Sequence, residues 1–249
     1  FPNTGWDVTM TSGTDDCVLT ASQGGSANYN AAANAERTVE AAKADQIITV
    51  TTPAPATAEY GSSFSVAATG GGSGNPVAFS NDGVCSNVGD TFTMTSGTGT
   101  CLVRYDQAGN ADYSPAMQVI EAVLATNAEL TITADDRTKT YGDEVVFDGT
   151  EFTTDGLVND DAVDSVSLVS AGAAVTASVA GSPYAIVASD ALGSGLGNYD
   201  ITYLDGELTV DPKALTITAD DRTKTYGQSV TFDGTEFTTD GLVNDDAVD

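Results

Sequence analysis

Residues 129–164 read ELTITADDRTKTYGDEVVFDGTEFTTDGLVNDDAVD, and residues 214–249 read ALTITADDRTKTYGQSVTFDGTEFTTDGLVNDDAVD. The two stretches lie 85 residues apart and differ at four of 36 positions: 129/214, 143/228, 144/229 and 146/231. A long internal duplication is the first thing to weigh in any chain, because it divides the sequence into structural units before any element is assigned. The second copy reaches Asp249, the counterpart of Asp164, where the first is less than half complete.

A different repeat occupies the front. MTSGTGTC (94–101) echoes MTSGTDDC (10–17) at an offset of 84, and QAGNADYSPA (107–116) mirrors QGGSANYNAA (23–32). Extended backwards, the match sets Phe1 opposite Cys85, inside a unit. Both ends are expected to cut through domains, so the sequence reads as a window on a longer repetitive polypeptide. Four segments follow: 1–44, the back part of a first unit; 45–126, a complete unit entered through AAKADQ; 127–213, a complete unit of the second type; and 214–249, the opening of its next copy. The joints at ATNAEL and VDPKAL are only a few residues long. Flexible reach needs long Gly/Ser linkers, so joints this short stiffen a tandem array.

Composition narrows the class. The chain carries 36 acidic residues against 8 basic ones, a net charge of −28. Nucleic acid and anionic membrane surfaces both call for a basic footprint, and both are excluded as partners. The acid is 27 Asp against 9 Glu, beside 26 Gly. Asp and Gly favour turns whereas Glu favours helix, so short strands joined by polar turns are expected. Histidine is absent, which rules out His-based triads and His-ligated metals. No G-x-S-x-G, Walker or H-E-x-x-H motif occurs either, and no enzyme is read here.

Within 45–126 seven strands are predicted, at 47–52, 63–69, 76–80, 84–88, 91–95, 100–106 and 117–124. Alternation places Phe64, Val66 and Ala68 on one face, as it does Val77 with Phe79, Phe92 with Met94, and Cys101 with Val103 and Tyr105. Seven strands so spaced point to an antiparallel sandwich. In this segment QIITV…EYGSSFSV…NPVAFS…GVCSNVG…GTCLVRYDQAGNADYSPA resembles the bacterial immunoglobulin-like repeats of large surface proteins. In 127–213, LTITADDRTKTYGDEVVF and GNYDITYLDGELTVDPKAL resemble the MBG-type repeat, a β-grasp-like module of bacterial surface and adhesin-like proteins. The resemblances imply an all-β tandem array of small immunoglobulin-like sandwiches and β-grasp-like modules at the bacterial cell surface. DGLVNDDAVD could hold one short helical turn.

Cys85 and Cys101 fall on the predicted fourth and sixth strands. By themselves they read as a disulfide, two buried thiols or a reactive pair. The resemblance and the extracellular composition select the disulfide. Cys17 matches Cys101, and its partner should lie at or before the visible start. Asp135, Asp136, Asp160, Asp161 and Asp164, with their copies Asp220, Asp221, Asp245, Asp246 and Asp249, suggest calcium at a joint, since that ion takes six to eight oxygens. No EF-hand loop or glycine-rich nonapeptide accompanies them, which favours a solvated acidic surface with no cofactor. Tyr29, Tyr113, Tyr141 and Tyr226 are read as sandwich corners with hydroxyls bonded to backbone. Trp6 has Asp90 at its repeat position and is left unassigned. FPNTG at 1–5 resembles a sortase pentapeptide but lacks the apolar and basic tail of one.

The expected function is a structural stalk or spacer of a long secreted surface protein, with neighbouring modules as its partners. A self-assembling extracellular filament, in which other copies are partners, is the first alternative. A carbohydrate- or protein-binding adhesive module is the second.

Overall fold

A computed structural model describes residues 5–248, so Phe1–Thr4 of the FPNTG string and Asp249 lie outside the described residues. The chain divides into two compact units, Phe1–Asn127 and Ala128–Asp249. Both are built from strands. Helical structure among the described residues is limited to three-residue 3-10 turns at Ala171–Ala173, Val179–Gly181 and Leu196–Asn198.

The first unit runs β1 (Cys17–Ala21), β2 (Ala35–Val39), β3 (Thr49–Thr52), β4 (Thr57–Glu59), β5 (Ser63–Ser65), β6 (Ala67–Thr69), β7 (Val77–Gly83), β8 (Cys85–Val88), β9 (Thr91–Met94), β10 (Thr100–Gln107) and β11 (Val119–Thr126). Strands β1 and β2 pair by themselves. The remainder form a four-stranded sheet β4-β11-β10-β7, a three-stranded sheet β5-β9-β8 and the pair β3-β6. One core joins them. Phe92, Met94, Cys101, Val103, Tyr105 and Val123 are fully buried. Phe64 stacks on Phe92 and Phe79 meets Tyr105 edge-on, both with ring centroids 5.6 Å apart. The period-2 pattern of β10 explains this, because its odd-numbered residues from Cys101 to Gln107 all point inward.

Two expectations need correction. The predicted strand 63–69 is two strands: β5 pairs with β9, β6 pairs with β3, and Val66 between them donates its N–H to Asp90 O at 3.0 Å. The sheet is not wholly antiparallel either, since the unforeseen β4 runs parallel to β11. Pro53 and Pro55 account for it: neither can donate a ladder hydrogen bond, so the chain leaves β3 and resumes at Thr57 beside a new neighbour.

The second unit continues with β12 (Ala128–Ala134), β13 (Arg137–Thr140), β14 (Phe152–Asp155), β15 (Ala162–Val169), β16 (Tyr184–Ser194), β17 (Tyr199–Leu204), β18 (Gly206–Asp211), β19 (Thr216–Ala219) and β20 (Phe237–Asp240). Its sheets are β14-β12-β17, β13-β18-β16-β15 and β19-β20. Here too pairing is mixed, with β12–β17 and β13–β18 parallel. The buried apolar residues are alternate residues of β12 (Ala128, Leu130, Ile132, Ala134) together with Val166, Leu168, Ile186, Tyr199, Leu208 and Val210. The predicted helical turn in DGLVNDDAVD is instead a type I′ turn: Asn159 and Asp160 both take positive φ (57° and 60°), and Asp161 N–H donates to Val158 O at 3.1 Å. Asn and Asp tolerate that left-handed region better than most residues, which is why they stand there.

The repeat at 214–249 retains the local structure and lacks the burial. Its strands β19 and β20 pair in the register of β12 and β14. Yet Leu215 and Ile217 are 45% and 51% exposed, while their counterparts Leu130 and Ile132 are both 0%. The segment 165–211, which covers β12, has no counterpart between 214 and 249.

Cys85 and Cys101 form a disulfide with Cα atoms 5.4 Å apart, and both sulfurs belong to the core of the first unit. Closing a loop of 16 residues should stabilise 45–126 by on the order of 3 kcal/mol. Calorimetry under a reductant is expected to lower the melting transition of 45–126 and leave that of 127–213 in place. Equal shifts in both, or in neither, would contradict this.

Candidate functional site: turns and joints built by the repeats

The TKTYG string of each second-type repeat makes one kind of turn. Asp143 N–H returns to Thr140 O at 3.0 Å with Gly142 at φ +92°, and in the copy Gln228 N–H returns to Thr225 O at 3.1 Å with Gly227 at φ +84°. A positive φ at the third turn position calls for glycine, which explains the Tyr-Gly pair. The buried Lys139, just ahead of that turn, donates to Asp143 O at 3.0 Å and also to Ala174 O. The cation thereby fixes the turn to the 3-10 segment beside Ala171–Ala173.

Sequence reasoning missed Glu151. Its carboxylate accepts the backbone N–H groups of Asp148 (3.2 Å), Gly149 (3.0 Å) and Thr150 (3.2 Å), and Arg137 lies 3.6 Å away. Burial works against the charge, but the backbone donors around it prevail and hold the carboxyl below the ordinary glutamate value of 4.5. Glu236 does the same in the copy, lowered first by the Asp233 N–H, with Gly234 N–H and Arg222 adding to it. The signal lay in the spacing of ADDR and FDGTE, which the two copies share.

Of the acidic residues singled out from the sequence, Asp136, Asp160 and Asp161 serve local structure. Asp136 Oδ1 accepts Glu207 N–H at 2.7 Å. Asp160 occupies the left-handed turn. Asp161 Oδ2 accepts the Tyr199 hydroxyl at 2.8 Å, and that same oxygen of Tyr199 accepts Val158 N–H at 2.9 Å, pinning the turn from beneath. Among the described residues, no three His, Cys, Asp or Glu side chains come together as a group able to hold a metal ion.

The corner reading of the tyrosines needs revision. Tyr29 is 77% exposed and Tyr226 fully so. Tyr113 packs over Gly72, whose Cβ, if present, would lie 2.3 Å from its ring. Hydroxyl-to-backbone bonds come instead from Tyr199, from Tyr184 to Ser178 O (2.9 Å), and from Tyr203, which accepts Ala191 N–H (2.9 Å). In the first unit Tyr105 is buried and donates to Glu121 Oε2, which also accepts Ala54 N–H at 2.9 Å. Burial first, then the hydrogen bond to Glu121 and the Glu121 charge, push the Tyr105 phenol well above its usual value, so it stays a neutral donor.

The first unit contains a joint between 1–44 and 45–126. Asp112 is its centre: its Oδ1 accepts Gly13 N–H at 2.9 Å and its carbonyl accepts Ala44 N–H at 2.8 Å. Ser114 N–H returns to Ala44 O at 2.9 Å, and Lys43 Nζ donates to Asn110 O at 2.7 Å. The Asn110 side chain accepts Asp112 N–H and Tyr113 N–H, each at 2.9 Å, and so braces the GNADY loop from within. Gly13 has no room for a side chain, since a Cβ would lie 2.8 Å from Ala111 O. Cys17 is a half-buried free thiol, and Trp6 is 90% exposed.

Replacing Glu151 by Gln is expected to destabilise 127–213 by about 1–2 kcal/mol at neutral pH, since charged hydrogen bonds are lost. A carboxyl lowered in the folded state contributes stability above 4.5, and the contribution disappears as pH falls through the folded value. The gap in melting temperature between the wild type and Glu151→Gln should therefore close in acid. A gap that is constant with pH would contradict this.

Residues 130–209, from Leu130 in β12 to Thr209 in β18, match the family model of the MBG domain (YGX type). No curated protein and no solved structure shows a significant match to the chain. MBG domains occur in bacterial surface and adhesin-like proteins.

Proposed function

We propose that the chain is a spacer segment of a long secreted bacterial surface protein, bearing load and extending reach. In this reading 1–44 and 45–126 are immunoglobulin-like repeats, 127–213 and 214–249 are MBG-type repeats, and none of them is catalytic. The Asp112 joint carries the proposal. It fastens successive repeats through backbone groups and a braced loop, the construction expected of a stiff connector and not of a hinge. Near-identical duplication supports the same reading, because length gains from added copies while a catalytic site does not. The MBG match and the disulfide favour an extracellular setting. An eight-residue strand such as β10 is about 26 Å long, so each repeat would add a few nanometres.

Exposed Trp6 favours a second reading, an adhesive module, in which this aromatic contacts a sugar or a protein. A glycan array on the chain and on Trp6→Ala separates the two: equal, background signals leave the spacer.

Pulling single chains from both ends should give separate unfolding events for 45–126 and 127–213. The first should release less chain than its length allows, because the disulfide withholds residues 86–100, and reductant should restore it. One cooperative rupture of the whole chain would contradict the spacer. Electron micrographs of ordered multi-chain fibres would favour the filament over a stalk of lone threads.

A further inference from the structure

The second unit holds a contact between its two repeats that none of the preceding assignments uses. The turn Val243–Asp246 is the copy of Val158–Asp161 and has the same type I′ geometry, with Asn244 and Asp245 at φ 56° and 60° and Asp246 N–H on Val243 O at 3.0 Å. Its tip rests on the repeat before it. The Val243 methyls lie over Gly142 so closely that a Cβ there would be 2.7 Å from Cγ2. Asn244 Nδ2 donates to Val175 O at 2.9 Å.

The receiving surface is built. Gly142 is held at φ +92° by the turn that Lys139 anchors, and the same ammonium fixes Ala174 O, one residue before the Val175 acceptor. A flat glycine and an oriented carbonyl thus sit side by side, one fitting a branched apolar side chain and the other an amide donor. Gly227 repeats Gly142 with φ +84°, and nothing lies within 4 Å of where its Cβ would be. The first copy therefore carries the seat and the second the matching tip, and the second also repeats the glycine of the seat.

We propose that the glycine of the Tyr-Gly pair, with the carbonyl of Val175, is a docking seat whose ligand is the Val-Asn-Asp turn of the following copy of the same repeat. Contacts of this kind between unlike surfaces of identical units can be repeated from copy to copy, so they fix one rotation per repeat and propagate it along an array. The proposal deepens the spacer reading by naming what locks adjacent repeats together.

The test uses the full chain with Cys17→Ser, and with Thr153→Cys and Thr238→Cys as spin-label sites at equivalent exposed positions of the two copies. Double electron–electron resonance should give one narrow distance. In Val243→Ser/Asn244→Gly, where glycine preserves the left-handed turn, the distribution should widen at least about twofold, while the calorimetric transition of 127–213 is unchanged because the altered residues lie outside it. A wild-type distribution as broad as the variant's, or a variant as narrow as the wild type, overturns the seat. Either result leaves the spacer reading standing if the pulling experiment still shows separate unfolding events.

Discussion

The apolar face of β12 is useful only when the second half of its own repeat lies over it. Two stretches with almost the same sequence show this within one chain. Leu130 and Ile132 lie in a strand paired on both sides, by β14 and β17, and are fully buried, while Leu215 and Ile217 keep only the β20 pairing and face solvent. Local propensity and turn chemistry suffice to form the strands. Burial, at roughly 1.5–3 kcal/mol for each large aliphatic side chain, is what makes a domain of them. That dependence sets the size of the repeating unit and confines each core within it.

The turns do the remaining work. Both repeat types use a Tyr-Gly pair at a tight turn, Tyr60–Gly61 in the first unit and Tyr141–Gly142 in the second, with the glycine at φ +75° and +92°. Carboxylates hold loops: Glu151 gathers three backbone donors, Asp136 receives Glu207, and Asp161 receives Tyr199. The net charge of −28 is thus partly structural.

Much of this was legible beforehand. The alternation in 100–106 placed Cys101, Val103 and Tyr105 in the core, and resemblance selected the Cys85–Cys101 pair. What escaped shares a physical cause. The break at Val66 leaves the inward period intact, so no pattern marks it; it is dictated by which strands lie alongside. The parallel pairs β4–β11, β12–β17 and β13–β18 join residues far apart in sequence, where periodicity carries no information. Asn159 and Asp160 suit helix starts and left-handed turns alike, and only their positive φ in the folded chain distinguishes the two. Glu151 was one acid among many until three amides pointed at it.

The account stands or falls on burial by the repeat's own second half, and amide hydrogen exchange reads that directly. Leu130–Ala134 and Leu215–Ala219 have the same sequence, LTITA, and the same hairpin partner strand. The account predicts strong protection over the first stretch and rapid exchange over the second. Equal protection of the two would show that the hairpin alone suffices and that the repeats are not self-contained domains.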